Sequence, residues 1–261
     1  MKRVLTIAGS DSGGGAGIEA DIKTITAFGA YACTAITAVT AQNTLGVAAV
    51  HTLPANFVTL AIQSVLSDIG VDAIKIGMLA NESIIRAVAG ILPPNIPLVL
   101  DPVMVATSGA ALLGNGAIAA LCDVLLPQAT IITPNLPEAE KLTGLPVTTP
   151  SERIAAAQAL LARGAKAVLM KGGHDTSTML TDYLVSAEGT EAITLPRLNS
   201  RNTHGTGCTM ASAIAAGLAH GLSLSAATRQ ARAYLQEAIQ TAPGFGAGHG
   251  PVNHLTALPR V

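Results

Sequence analysis

The chain of 261 residues contains few cysteines, and those it has do not form a recognisable pattern. Its three cysteines, Cys33, Cys122 and Cys208, lie far apart, are odd in number and form no Cys-x-x-Cys pair. Neither a disulfide framework nor a zinc site is therefore expected. Cysteines used in this way are typical of a reducing compartment, so we expect a cytoplasmic protein.

Aromatic and clustered basic residues are also scarce. Aromatic residues make up 2% of the chain, the formal net charge is −1, and there is no run of lysine or arginine. A protein without clustered positive charge is not expected to bind the phosphate backbone of nucleic acid. No apolar stretch approaches the roughly 18 residues of a membrane span, and residues 1–10 become polar too quickly for a signal peptide. We expect no nucleic-acid partner and no membrane association.

The standard nucleotide-binding motifs are missing as well. The glycine-rich stretch 9–17 has no Gly-Lys-Ser/Thr element, and Ile18 stands where a Gly-x-Gly-x-x-Gly motif would need its last glycine. Three glycine-rich turns, at 9–17, 205–207 and 244–250, nevertheless indicate a site where backbone meets ligand. If this chain handles phosphate, it does so with another arrangement.

What the chain does have is a regular alternation of strand-like and helix-like segments. This alternation predicts one α/β domain over residues 1–261, with a mostly parallel sheet and helices on both faces. The last two predicted strands follow each other without a helix, which indicates an antiparallel edge. Strands are predicted at 3–8, 31–41 (a strand pair or ribbon), 71–78, 97–102, 130–133, 165–171, 182–186 and 191–195. Helices are predicted at 18–28, 54–69, 81–92 (capped by Asn81), 114–126, 137–142, 151–163 (capped by Ser151), 207–219 and 223–241.

The segment 202–208 places Cys208 where a glycine-rich turn enters a long helix. A helix N-terminus binds anions and favours a thiolate over a thiol. Gly205 and Gly207 would let the backbone approach a phosphate. Alternatively, Cys208 is a small buried hydrophobe. A Cys208–His204 nucleophilic pair is a weak candidate, because no Asn or Asp with a clear orienting role can be identified.

Three charged residues lie at the C-terminal ends of predicted strands or just past them, at the sheet edge where open α/β sheets bind ligands. Asp101 and Glu138 could face one crevice and hold Mg²⁺ through water, or they could be a turn residue and a helix N-terminal charge. Lys171 ends an apolar strand and precedes two glycines, which makes it a plausible phosphate partner.

With these residues in view, the chain resembles the hydroxymethylpyrimidine and phosphomethylpyrimidine kinases of thiamin biosynthesis, within the ribokinase superfamily. The resemblance runs nearly end to end and implies a ribokinase-like three-layer sandwich with a small β flap. It is carried by eight motifs in family order, at 7–21, 37–43, 75–79, 101–106, 133–138, 170–174, 204–208 and 248–254.

The resemblance implies phosphorylation of 4-amino-5-hydroxymethyl-2-methylpyrimidine by ATP and Mg²⁺, then a second phosphorylation of the monophosphate, in a homodimeric enzyme. Cys208 would occupy the catalytic aspartate position of the superfamily's sugar kinases, beside an anion hole that includes Gly205, Thr206 and Gly207. Asn135 and Glu138 would match the superfamily's magnesium element, and Lys171 would stabilise phosphate. The implied pyrimidine pocket comprises Gln42, which hydrogen-bonds the aminopyrimidine, together with Gly9, Asp21, Met78 and Val105.

Three questions stay open at this level. Many relatives carry a lysine and an acidic residue where this chain has Thr107 and Ala110, so charged flap contacts are in doubt. The rival functions are a pyridoxal or pyridoxine kinase and a non-catalytic ligand-binding protein. Gln42 favours a pyrimidine, because a carboxamide offers both a donor and an acceptor. If Cys208 is a base, only the first phosphorylation needs it, because the second acceptor is already anionic.

Overall fold

The computed structural model describes residues 1–105, 109, 113, 115–174 and 177–256. Within these residues the chain forms a nine-stranded sheet whose inner pairings are all parallel. The strands are β1 (Arg3–Asp11), β2 (Tyr31–Asn43), β3 (Gly46–Thr52), β4 (Ala73–Ile76), β5 (Leu98–Leu100), β6 (Ile131–Ile132), β7 (Ala167–Met170), β8 (Met179–Ser186) and β9 (Gly189–Pro196). Their order is β3-β2-β1-β4-β5-β6-β7-β8-β9, and β3, β8 and β9 pair antiparallel at the two edges.

Helices cover both faces of the sheet, as predicted. They are α1 (Gly17–Ala27), α2 (Ala55–Ser64), α3 (Glu82–Ala89), α4 (Asn115–Ala120), α5 (Leu136–Thr143), α6 (Pro150–Ala162), α7 (Thr206–Ala219) and α8 (Leu224–Gln240). Side chains of successive strand residues point to opposite faces, so Leu5 and Val4 of β1 belong to different cores. Leu5 packs in the core under α2 to α6, and Val4 packs in the core under α1, α7 and α8. The three-layer α/β architecture is confirmed.

Local capping chemistry decides where several helices begin. Asn81 caps α3 as predicted, accepting a hydrogen bond of 3.0 Å from the Ile84 N–H. The predicted cap Ser151 is wrong. Thr149 caps α6 instead, because Thr149 and Glu152 form a reciprocal capping box and Pro150 takes the first helical position.

Several segments differ from the sequence prediction, including the three described next. β1 continues past residue 8 to Asp11, because a bulge near Ser10 restores its pairing with β2. β3 was not predicted as a separate strand, since its small apolar residues are largely exposed on an edge. The predicted helix 114–126 is divided into α4, a π-helical turn over Leu121–Leu125 and a 3₁₀ turn over Leu126–Gln128. The flap positions Thr107 and Ala110 lie outside the described residues.

The sheet brings the ends of its parallel strands to one edge. Gly9 lies within β1, Met78 and Asp101 follow β4 and β5, and Lys171 follows β7. Because these strands run in the same direction, their carboxyl ends share one crevice, where open α/β sheets bind ligands. Among the described residues, no helix has the length and apolar character to span a bilayer.

Candidate active site

A cleft of about 650 Å³ opens at this edge. With the exception of Asp21, the residues that the sequence analysis assigned to a site all line this cleft. They are Gly9, Gln42, Met78, Asp101, Val105, Asn135, Glu138, Lys171, Gly205, Thr206, Gly207 and Cys208. The strand ends, the α5 start and the α7 start therefore contribute to a single site.

The N-terminus of α7 forms one wall of the cleft. Its cap residue, Gly205, has φ 79°, and no side chain caps the helix. The first backbone N–H groups of a helix have no intrahelical partner, so an end like this offers donors to an anion. A Cβ at Gly207 would lie 3.3 Å from the Lys171 Nζ and 3.4 Å from the Asp101 Oδ2. Glycine there lets the helix end, a cation and a carboxylate approach one another.

The Cys208 thiol is less acidic than its helix position suggests. Burial raises its pKa to about 11, with Asp21 and Asp101 adding to the effect and Lys75 opposing it. At neutral pH the residue is therefore a thiol. The helix end still favours a thiolate, but in the ligand-free site the loss of solvation outweighs that contribution.

Asp101 and Lys171 form an ion pair in the middle of the cleft. The Lys171 Nζ lies 3.0 Å from the Asp101 Oδ1, which also accepts a hydrogen bond of 3.1 Å from Thr133. Burial opposes the charge on Lys171, but Asp101 and Glu138 outweigh it and hold the lysine pKa above its ordinary value. Lys171 therefore presents a permanent positive charge to the cleft.

Glu138 has two roles in the geometry of the site. Its Oε2 accepts the Asn135 N–H at 2.8 Å, and the Asn135 Oδ1 accepts the Glu138 N–H at 2.9 Å, which completes the capping box of α5. The alternative interpretation of Glu138 as a helix N-terminal charge is thus correct, yet the residue also lines the cleft. Burial raises its pKa to about 7, with Asp101 adding to the rise and Lys171 opposing it.

The donor chemistry of Asp101 and Glu138 fits Mg²⁺. The described residues contain no group of three or more His, Cys, Asp or Glu side chains that could hold a metal ion as a closed protein cage. Mg²⁺ usually takes only one or two carboxylates and completes its shell with water and substrate phosphates. Two carboxylates on the wall of an open cleft suit that ion.

Asp21 does not line the cleft, and this corrects its assignment to the pyrimidine pocket. Both of its carboxylate oxygens lie 2.8 Å from the Lys75 Nζ, and both side chains are fully buried. Thr6 and Ser212 donate to the same carboxylate at 2.5 and 2.7 Å. α1 turns Asp21 toward the core rather than toward the ligand, because that is where its partner on β4 lies.

His204 pairs with an aspartate that the sequence analysis missed. Its Nε2 lies 2.8 Å from the Asp11 Oδ2 and 3.1 Å from the Gln42 side-chain nitrogen. Asp11 stands in the first glycine-rich stretch, 193 residues away, so no local pattern signals the contact. The only sequence signal for this contact was that Asp11 and His204 each lie in a glycine-rich segment.

The sequence analysis also missed a further part of the cleft wall, which β8, the segment after β9 and α8 form. Arg197 donates to the Gly173 carbonyl at 2.9 Å and to the Gly172 carbonyl at 3.2 Å, which holds the turn after Lys171. Arg232 and Asp182 lie close by, 3.5 Å apart and nearly fully buried. The remaining wall is mainly apolar, with Leu180, Leu198, Leu235 and Ile239.

An α/β sheet with an anion-binding helix end, a buried cation and paired carboxylates at its carboxyl edge defines a phosphotransferase acting on small molecules. The comparisons identify which one. The model of the family described as phosphomethylpyrimidine kinase matches residues 11–253. The chain belongs to this family, whose members are ATP-using kinases of thiamine biosynthesis.

Curated relatives agree with the family match. The chain is 47% identical over 260 residues to the hydroxymethylpyrimidine/phosphomethylpyrimidine kinase of Haemophilus influenzae, covering 97% of each chain. It is 48% identical over 260 residues to the thiamine biosynthesis bifunctional protein ThiED of Geobacter sulfurreducens, covering 99% of this chain. The matched region is 53% of that longer protein.

Solved structures give the same fold. Phosphomethylpyrimidine kinase from Clostridium difficile matches with a TM-score of 0.81 and 41% identity, over 92% of this chain and all of that one. The pyridoxal kinase of Staphylococcus aureus in complex with pyridoxal matches with a TM-score of 0.90 and 35% identity, over 97% of this chain and 93% of that one. The fold is therefore shared by kinases that are named for different heterocycles.

Proposed function

We propose that this enzyme phosphorylates 4-amino-5-hydroxymethyl-2-methylpyrimidine with ATP and then phosphorylates the resulting monophosphate to the diphosphate. One observation carries the proposal. A single cleft is lined both by a carboxamide, that of Gln42, and by the α7 N-terminus with Lys171. The carboxamide suits an aminopyrimidine, and the anion site suits the transferred phosphoryl group.

In the first step the substrate hydroxyl oxygen forms a bond to the γ-phosphorus of ATP. The bond from that phosphorus to the β,γ-bridging oxygen breaks, ADP leaves, and the hydroxyl proton is released. In the second step the oxygen of the monophosphate attacks in the same way. Lys171 and the first N–H groups of α7 stabilise the charge on the phosphoryl oxygens. Charge stabilisation and positioning are the main contributions of a protein to phosphoryl transfer.

We propose that Asp101 and Glu138 hold Mg²⁺. When bound, the ion would neutralise charge on the ATP phosphates. The two carboxylates line the same cleft as Lys171, and Asp101 is already bonded to Thr133, which fixes its orientation. Asn135 supports the site through its capping box with Glu138.

Cys208 is proposed to align the hydroxymethyl group rather than to deprotonate it. With a pKa of about 11 the residue is almost entirely protonated at neutral pH, which makes it a hydrogen-bond partner instead of a base. Loss of one hydrogen bond in Cys208→Ala should slow the first step about tenfold. A general base would instead cost about 10²–10⁴ in the first step and spare the second. Single-turnover rates of the two steps, measured in wild type and Cys208→Ala, distinguish the two roles.

A coupled assay of ADP release tests the function itself. It is run with the pyrimidine alcohol, with its monophosphate and with pyridoxal. We expect turnover of the first two substrates. Preference for pyridoxal with no reaction of the monophosphate would assign the chain to the pyridoxal kinases, and the TM-score of 0.90 to that enzyme makes this the leading alternative. Absence of ADP formation with every substrate would indicate a ligand-binding protein without catalysis.

We further propose that the enzyme is a homodimer. β2 and the edge strand β3 expose apolar side chains, including Tyr31 at 52% and Val39 and Val50 each at 45%. Unpaired edge strands with exposed apolar residues are typical pairing surfaces. Light scattering of the wild type and of Val50→Glu tests the state. A monomeric wild type would contradict it.

We place the enzyme in the cytoplasm on the basis of its cysteines. Cys33, Cys122 and Cys208 are all free thiols in the fold. Free thiols persist in a reducing compartment. Fractionation of cells that produce the protein tests this assignment.

A further inference from the structure

The Asp11 carboxylate is surrounded by hydrogen-bond donors. Its Oδ1 accepts the Gly13 N–H at 2.8 Å, and its Oδ2 accepts the N–H groups of Gly15 and Ala16 at 3.0 and 2.9 Å. The His204 Nε2 is a further partner of Oδ2, at 2.8 Å. A carboxylate with three N–H donors is an anionic acceptor. The hydrogen atom shared between Asp11 and His204 therefore lies on the histidine nitrogen.

This protonation state restricts the second contact of the same nitrogen. An imidazole nitrogen that carries hydrogen has no lone pair to accept with. The end of the Gln42 carboxamide placed 3.1 Å from the His204 Nε2 is its nitrogen, so two N–H groups would face each other. The two ends of a carboxamide have the same shape, so hydrogen-bond partners decide which end faces the imidazole. Only the oxygen of Gln42 can then face this nitrogen without opposing one N–H group to another, and it shares the single Nε2 hydrogen with the nearer Asp11 carboxylate.

The parts of this contact are held firmly in place. A Cβ at Gly15 would lie 2.6 Å from the His204 Cδ2, so the glycine loop packs directly on the imidazole. The backbone N–H of His204 donates to the Gly250 carbonyl at 3.1 Å. The backbone of Gln42 is bonded twice to the Ser12 hydroxyl, at 2.8 and 2.7 Å. The arrangement is therefore formed before a ligand enters.

We propose that the Asp11–His204 pair positions the Gln42 carboxamide with its oxygen on the imidazole and its amino group toward the cleft, so that the site selects heterocycles with an unprotonated ring nitrogen. Asp11 and His204 are positioning residues, since they act through Gln42. The ligand class rests on the proposed function, because an aminopyrimidine offers such a ring nitrogen. The orientation of the carboxamide does not depend on that function.

The first test reads the orientation without any substrate. ¹⁵N NMR of histidine-labelled enzyme reports which ring nitrogens of His204 carry hydrogen, with the resonance assigned from His204→Asn. We expect a protonated Nε2 in the wild type. An Nε2 without hydrogen would overturn the proposal, because the Gln42 amino group could then donate to it and leave the oxygen facing the cleft.

The second test changes the donor itself. Gln42→Glu keeps the side-chain shape and still accepts from His204, but it presents no N–H to the cleft. We expect the Kd for 4-amino-5-hydroxymethyl-2-methylpyrimidine, measured by calorimetry, to rise about 10- to 100-fold. Unchanged affinity would overturn the proposal. It would mean that the oxygen of Gln42, and not its amino group, faces the cleft in the wild type, because a carboxylate oxygen could then take its place without loss.

The third test removes the anionic acceptor. Asp11→Asn should raise KM for the pyrimidine alcohol about tenfold, and by more than it lowers kcat, because the proposal has Gln42 bind the ring rather than the reacting hydroxyl. Asp72→Asn is the matched control, since Asp72 also accepts from a basic side chain, that of Arg3, but is not among the residues that line the cleft. Equal effects of the two variants on KM would count against the proposal. If the wild type binds no pyrimidine, the proposed function fails, whereas the NMR result still decides the orientation.

Discussion

Two lysine–aspartate pairs lie close together under the helix α7. They are the same kind of ion pair but have different roles. The Lys75–Asp21 pair is fully buried, and its carboxylate also takes hydrogen bonds from Thr6 and Ser212. The Lys171–Asp101 pair borders the cleft, with 14% of the lysine side chain exposed. A buried and fully bonded pair has nothing left to offer a ligand, whereas a pair at the cleft wall does. Access, rather than residue type, separates the structural pair from the functional one.

The largest expected effect comes from breaking the buried pair. Lys75→Met leaves the Asp21 carboxylate without its cation in the core and should lower the free energy of unfolding by about 3–5 kcal/mol. Urea denaturation measures it. The double variant Lys75→Met with Asp21→Asn should recover much of the loss, because no buried charge remains. Equal losses in the single and double variants would show that the pairing of charges is not what matters.

Breaking the cleft pair should cost activity instead. Lys171→Met removes the cation beside the α7 anion site, and we expect kcat to fall about 10²–10³-fold. The loss of stability should stay at about 2 kcal/mol or less, since Asp101 keeps its hydrogen bond from Thr133 and the lysine that is removed is itself partly exposed. Steady-state kinetics and urea denaturation measure the two effects. Lys166→Met, at an exposed position, is the control and should change neither.

Glu138 tests the comparison between the buried pair and the cleft pair, because the pKa of its carboxyl depends on how deeply the cleft wall is buried. Its pKa of about 7 in the fold lies above the ordinary 4.5, so the folded state binds this proton more tightly than the unfolded state. The stability of the metal-free enzyme should therefore fall as pH rises from about 4.5 to 7, by up to about 3 kcal/mol. Glu138→Gln, which stays neutral, should lack this component in denaturation curves across the range. Parallel curves for both proteins would refute the assignment.

The smallest expected effect concerns the support of the buried pair. Ser212→Ala removes the hydroxyl that donates to Asp21 at 2.7 Å and should cost about 1.5 kcal/mol of stability. Ser64→Ala is the control, because that exposed hydroxyl only bonds its own helix, and it should change stability by less than about 0.5 kcal/mol. A similar result for both serines would mean that Asp21 does not need the Ser212 contact.

Most elements of the fold follow from local patterns. Apolar strands and periodic helices predicted the alternating architecture, and the strand pair β8 and β9 was expected at an antiparallel edge. The misses have local causes too. A capping box moved the start of α6 from the predicted position to Thr149, and an exposed run of small residues concealed β3. Element ends depend on a few hydrogen bonds, which periodicity does not report.

The site also contains residues that the sequence could place and residues that it could not. Asp101 and Lys171 follow strands whose direction the alternation of elements predicts, so their meeting at one edge could be anticipated. Asp21 could not be placed, since only the fold shows that its side chain turns to Lys75, 54 residues away. Asp11 and His204 escaped notice for the same reason.

The amino-acid sequence by itself determined the order of strands and helices, the edge at which ligands meet the sheet, and the residue types available there, because periodicity, turn residues and strand direction are local properties. Only the tertiary structure decided which aspartate is accessible, which histidine has a carboxylate partner and whether Cys208 is a thiol or a thiolate. These depend on solvation and on partners brought from distant parts of the chain. For the Cys208 thiol, burial raises the pKa by more than the helix N-terminus, which the sequence predicted, can lower it.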